Sequence, residues 1–292
     1  MAGYILLILA TLCGNAKEFA AKKGSGALDT ISKKLWFGLV RTSVCALLSL
    51  GLWLLSDGGT AGKMGTLIAV FSGISQSACM ISFISAARGG AYVRLNIFNQ
   101  AGMVIPCILA APLLGESVSL SQWIALCVLV PSISLFSGKS KSQQGSRLKL
   151  SEFVLLLLVW ITSGTNSFLI KLYAHVGDGT SSYYNFVTFV VAAAVFAIAF
   201  LLLRAKGESV SLPRRHYTVI VPVMVAALYL YTFLQTEAAK YLDSMIMFPL
   251  KTVLGLGVSA LIAVVLLREK LSAKNIVGLV LVAASFVIIS LG

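Results

Sequence analysis

LLGESVSLSQWIAL at positions 113–126 and LLREKLSAKNIVGL at 266–279 are the same passage written twice, 153 residues apart. Leu113, Leu114, Glu116, Ser119 and Leu126 fall on Leu266, Leu267, Glu269, Ser272 and Leu279. The same offset sets Ala86 on Ala239, Gly102 on Gly255, Ala110 on Ala263, Ser132 on Ser285 and Ser137 on Ser290. One unbroken offset over about fifty residues is more than shared hydrophobicity produces, and it reads as an internal duplication.

Working outward from these two passages, the chain divides into apolar runs at about 3–21, 31–56, 63–87, 91–113, 120–137, 150–174, 181–204, 215–239, 243–267 and 273–291. Each approaches the roughly 20 apolar residues needed to cross about 30 Å of hydrocarbon. Hydrophobic residues make up 58% of the 292, charged residues 11%, and the mean hydropathy is +0.94. A soluble domain carries about 25% charged residues, so this chain cannot solvate a globular surface. Backbone polar groups in lipid must be satisfied within the protein, and the runs lack the alternation of barrel strands, so the spans are expected to be helices. The fold class expected is all-α: a polytopic membrane protein of about ten transmembrane helices.

The longest polar stretch, GKSKSQQGSRLK at 138–149, falls near the middle. It divides the chain into a five-span repeat at 1–138, a basic linker at 139–149 and a second five-span repeat at 150–292. Five is odd, so the second repeat enters the membrane with opposite polarity. Inverted repeats of this kind belong to secondary transporters, whose site lies near the midplane between the halves.

The net charge of +13 does not point to nucleic acid, because the positions of the charges argue otherwise. Loops after odd-numbered spans hold 18 of the 23 Lys and Arg, those after even-numbered spans hold Lys63, Lys171 and Lys240, and Arg41 and Lys251 lie within spans. The positive-inside rule then places the odd loops, the linker included, in the cytoplasm and both termini outside a cell membrane. No positive charge precedes the first span, so it is expected to be retained rather than cleaved. Cys13, Cys45, Cys79, Cys107 and Cys127 all lie in apolar segments without metal-ligand spacing. His175 and His216 stand at span ends without triad or metal partners. No catalytic constellation, metal site or cofactor site is expected.

Two five-span halves, each with a Leu-Leu-x-Glu-x-x-Ser junction before its last span, resemble the drug/metabolite transporter superfamily, and within it the ten-helix EamA-like transporters. The resemblance covers the whole chain. It implies a secondary carrier of amino acids or other metabolites with a central cavity lined mainly by spans 1, 3, 4, 6, 8 and 9. There are two departures. The proline common near the start of spans 4 and 9 is kept as Pro249 but replaced by Asn96, and termini outside is not the arrangement usually drawn for the family.

Residues that could carry transport are the polar ones inside spans, where a charge costs about 2.5–3.5 kcal/mol and must face a cavity or a partner. Lys251 is a candidate counter-charge for a carboxylate or phosphate; its structural alternative is a lysine snorkelling to the interface. Asn96, Asn99 and Gln100, on a helix that also carries Arg94, share a face and would form a polar wall opposite the carbonyl freed by Pro249. Thr11 with Asn15, and Thr162 with Asn166, repeat one four-residue spacing in spans 1 and 6, either lining a pathway or joining helices. Trp160 and Tyr229 could stack on a substrate or simply pack. Glu18, expected near the edge of span 1 and paired with Arg41, and Glu237 are the candidates for protonation. Glu116 and Glu269 precede capping boxes and read as structural.

The function expected is secondary transport of a small polar or anionic metabolite, amino-acid-like or an organic anion, with export favoured over import. The partners expected are a small-molecule substrate, the bilayer and a proton or ion coupled or exchanged, with a homodimer left open. A sugar or nutrient uptake permease and, from another class, a non-transporting scaffold subunit are the alternatives.

Overall fold

A computed structural model describes residues 1–56, 58–89, 92–117, 119–124, 127, 150–176, 179–203, 210–268, 276–278, 280–281 and 284. Among them there is no strand. The chain forms α1 (Ala2–Gly24), a short 3-10 turn (Ser25–Ala27), α2 (Ile31–Leu55), α3 (Lys63–Gly89), α4 (Tyr92–Ala101) and α5 (Val104–Leu114). After the linker come α6 (Leu150–Val176), α7 (Ser181–Leu203), α8 (Val221–Ala239) and α9 (Ser244–Val265). Among the described residues, eight helical segments are long and apolar enough to cross a membrane, from Ala2–Ala27 through Ser244–Val265. They coincide with the expected spans 1–4 and 6–9; the basic linker and most of the fifth and tenth spans lie outside the described residues.

The distribution of polarity is that of a protein dissolved in lipid. Leu47, Leu55, Leu201 and Leu203 stand exposed, while Asn15, Arg41, Asn96, Asn185 and Gln235 are buried. An exposed apolar perimeter around a polar interior is costly in water and favourable in hydrocarbon.

The closest packing joins α2 to α7, α1 to α8 and α3 to α6, with α9 against α1 and against α4–α5. Glycines permit two of these approaches. A Cβ on Gly102 would meet Ser163 and the α6 backbone at Trp160 and Gly164, and one on Gly164 would meet the carbonyl of Gly102. One on Gly14 would come to 3.0 Å from the Tyr231 ring.

The run at 91–113 is not one continuous helix but two. The interruption at Gly102–Met103 has a local cause. Pro106 has no N–H to donate to the Gly102 carbonyl four residues back, and its ring crowds that carbonyl. Gly102 is instead bonded by Ile105 N at 3.1 Å, a tighter turn.

Two sets of polar contacts tie the ends. After α5, Gly115 adopts φ 67°, the left-handed C′ conformation that glycine favours. Glu116 then accepts from Ser244 N at 2.8 Å and Ser244 Oγ at 3.0 Å, supplying the N-terminal cap that Asp243 does not. Lys171, counted above as a loop residue, is buried within α6. It pairs with Glu116 at 3.2 Å and donates to the Ala239 and Leu242 carbonyls at 3.1 and 2.7 Å. Ser119 and Gln122 form the expected reciprocal box, whereas Glu269 and Ser272 lie outside the described residues. At the opposite end Lys22 donates to the Ala87 carbonyl (2.6 Å), Lys34 to Ser85 (3.0 Å) and Trp36 to Tyr217 (3.1 Å).

Candidate functional site

Six helices open a cavity at the centre of the bundle, with about 470 Å³ not filled by atoms, solvent-facing space included. Its lining comes from α1 (Asn15, Lys17, Glu18), α3 (Gln76, Cys79), α4 (Asn99, Gln100), α6 (Asn166, Ser167), α8 (Tyr231) and α9 (Lys251), among others. These are spans 1, 3, 4, 6, 8 and 9, the six that the resemblance implied.

Lys251 does not snorkel. Its ammonium donates to Tyr231 Oη at 2.9 Å, Gln235 Oε1 at 3.2 Å and Ser167 Oγ at 3.3 Å, and lies 5.1 Å from the Tyr231 ring centroid. All three partners are neutral. Lys17 sits over the same ring at 4.4 Å. Two ammonium groups thus share one aromatic quadrupole, and among the described residues neither forms an ion pair. Lys17, one of the 18 basic residues counted above with the loops after odd-numbered spans, lies within α1 and lines the cavity.

Glu18 is deep in the same cavity rather than at the edge of its span. It accepts from Asn99 Nδ2 at 2.6 Å. The expected pairing with Arg41 is absent: the ion pairs among the described residues are Asp29–Lys33, Glu116–Lys171 and Glu237–Lys240. Arg41 and Glu18 instead line an adjoining chamber, which shares Lys17, Glu18, Gln76, Cys79 and Asn99 with the first.

The amides divide. Asn15 lines the cavity and accepts from Ser259 Oγ at 2.6 Å; Ser259 in turn accepts from Asn96 at 3.1 Å. Asn96 is fully buried behind that relay and outside the lining. Asn99 and Gln100 do line the cavity, and Gly255 leaves room for the Gln100 amide. The bonds that Asn96 and Asn99 donate go to the side chains of Ser259 and Glu18. Asn166 accepts from Ser72 at 3.0 Å.

The Thr11/Asn15 and Thr162/Asn166 pairs are not equivalent. Thr11 lines the cavity with its hydroxyl turned back to the Leu7 carbonyl at 2.8 Å. Thr162 bonds back to Leu158 at 2.6 Å and stands behind Cys79, outside the lining. Trp160 donates to the Ala101 carbonyl at 2.9 Å, holding α6 to the end of α4, and does not line the cavity. Tyr229 lies towards Ser182 and Asn185 of α7 and stacks on Phe233, outside the cavity lining. Glu237 lies outside the cavity, accepting from Ser181 and Lys240 at 2.5 and 2.8 Å. Among the described residues no cluster of His, Cys, Asp and Glu could hold a metal ion.

No family model and no curated protein matches this sequence. Solved structures do. One, described as "Crystal structure of protein", is 12% identical and superposes over 99% of this chain and 96% of its own with a TM-score of 0.71. The bundle is therefore a fold seen elsewhere, shared over essentially the full length of both chains.

Proposed function

We propose that this protein is a secondary transporter of a small polar or anionic metabolite, working by alternating access as an EamA-like member of the drug/metabolite transporter superfamily. The observation that carries the reading is the central cavity. Lys17, Lys251 and Glu18 face it from two halves of the chain, and among the described residues neither ammonium group is within ion-pair distance of a carboxylate. A charge inside a span that is neither paired nor at the interface marks a substrate or ion path. A scaffold has no need to carry that cost.

The packing supports the inverted repeat behind this mechanism. Exchanging α1 with α6, α2 with α7, α3 with α8 and α4–α5 with α9 carries α1·α8 onto α6·α3, α1·α9 onto α6·α4–α5, and leaves α2·α7 and α4–α5·α9 as self-paired contacts. Such an exchange, with ten helices in total and both termini outside, would let one half rock against the other around the cavity. The interrupted helix α4–α5 beside the cavity is a further mark of such sites.

The test is flux. Purified protein in liposomes preloaded with amino acids, organic anions or sugars should exchange one class of labelled solute saturably, above protein-free liposomes. Exchange of the first two classes supports this reading. Exchange of sugars alone would replace it with the permease, and no exchange of any class would leave the scaffold.

A further inference from the structure

Beyond Thr11, Ser167 and Lys251 the central cavity stops. On that side, the one reached by the loops after even-numbered spans, Leu7, Ile170, Tyr173, Met247 and Phe248 fill the space as part of one buried apolar cluster. The adjoining chamber, lined also by Ala21, Phe83, Ile84 and Met224, extends towards the opposite end. The bundle is therefore shut at the end where α5 meets α9. Alternating access requires that end to part.

One element at that end is built to move. α5 is a segment of 11 residues, about 16 Å long, cut from α4 by the interruption at Gly102–Met103. It packs on α6 and α9, both of the second half. Just past it Glu116 bonds to Ser244 N, Ser244 Oγ and Lys171, and all three bonds cross between the halves. Lys171 has bonds of its own to the Ala239 and Leu242 carbonyls. Its ammonium thus stays in place when Glu116 withdraws, as a catch must. Two other polar contacts cross between the halves nearby, Thr66 with Tyr183 at 3.0 Å and Thr180 to the Gly59 carbonyl at 3.3 Å. Neither involves α5, which can leave without breaking them. The interruption lies two residues past Gln100, a cavity residue, and Ser244 opens the helix that carries Lys251. Both ends of α5 therefore adjoin helices that line the cavity, and a few element-terminal residues of this kind are what hinges are made of.

We propose that α5 is the gate at this end of the cavity: it pivots at Gly102–Met103, and Glu116 is its catch on Lys171 and Ser244. This rests on the transport reading above and names the part that controls access to its site.

The experiment follows alkylation of single cysteines by a membrane-impermeant maleimide, read by mass spectrometry on the full chain in nanodiscs. One background keeps Cys107 and another keeps Cys45, the remaining cysteines being replaced by alanine. Both thiols are fully buried: Cys107 lies on α5 with its Sγ 4.0 Å from the Ser244 carbonyl, and Cys45 on α2, 3.9 Å from the Val225 carbonyl. Glu116→Gln should accelerate labelling of Cys107 by at least about tenfold, because one partner of a buried charge pair is lost. Cys45 should stay unlabelled over the same period. Ser244→Ala removes a single bond to the carboxylate, a milder change that decides the matter if Glu116→Gln folds poorly. It should accelerate Cys107 by about threefold to tenfold. Labelling of both cysteines alike would show a general loosening and overturn the gate, as would Cys107 rates unmoved in both variants. Saturable flux in the liposome assay would then leave the transport reading standing. Absence of any flux by the wild-type protein would remove that reading and the gate with it.

Discussion

Lys251 is the residue on which substrate charge should be felt. Its three acceptors are neutral and Glu18 acts on it only across the cavity, without an ion pair, so a substrate anion can still bond to it directly. Lys251→Met is expected to weaken binding of an anionic substrate by about tenfold to a hundredfold, the worth of one charge-assisted hydrogen bond. The yield of monodisperse protein should change little, because Ser167 and Tyr231 line the cavity and can turn to each other or to water. Calorimetric titration of the variant checks this, and an unchanged affinity would remove Lys251 from the site. The sequence reading found Lys251 because a lysine inside an apolar run is conspicuous. It singled out Tyr229, whereas Tyr231 is the tyrosine that lines the cavity. Tyr229 and Tyr231 both lie in the apolar run of span 8, and two helical positions differ by about 200° in direction, so one faces α7 and the other the cavity. Lys17 escaped for a different reason: close to Lys22 and Lys23, it resembles the basic end of a span until the helix is seen to continue.

At the scale of elements, polar contacts between separate helices matter more than surface pairs. Glu116 and Lys171 have side chains only 12% and 7% exposed, and between them they cap α9 at its N-terminus and α8 at its C-terminus, each charge opposed to the helix dipole at that end. Glu116→Gln should destabilise the protein by about 3 kcal/mol or more, the cost of removing one partner of a buried pair. Asp29→Asn, which breaks the exposed i,i+4 pair with Lys33, should cost less than about 1 kcal/mol. Denaturation of both variants in detergent gives the comparison, and equal effects would show that Glu116 is not the link described here. Both span 4 and Pro106 were visible in the sequence, but the interruption was not drawn, because hydropathy averages over a proline and registers only that the run is apolar. Glu116 was recognised as structural from the capping box beside it. Its actual partners, Ser244 and Lys171, are 128 and 55 positions away, beyond any local pattern.

For the whole molecule, the reading depends on two halves of opposite polarity. A reporter inserted in the linker at 139–149 should register as cytoplasmic, and one in the loop at 58–62 as external; both on the same side would end the inverted arrangement. Sequence alone determined that the chain is helical and suited to lipid and where eight of its apolar spans lie, and it supplied the one 153-residue offset on which the proposed repeat rests. Those properties follow from transfer free energy summed over twenty-residue runs and from similarity along one chain, and both are local quantities. Only the tertiary structure decided which polar side chains converge. It set Tyr231 between two lysines, turned Thr162 and Trp160 away from the cavity, and held Arg41 apart from Glu18. Each of these depends on helix rotation and on which helices are neighbours, and those are fixed by packing between residues far apart in the chain.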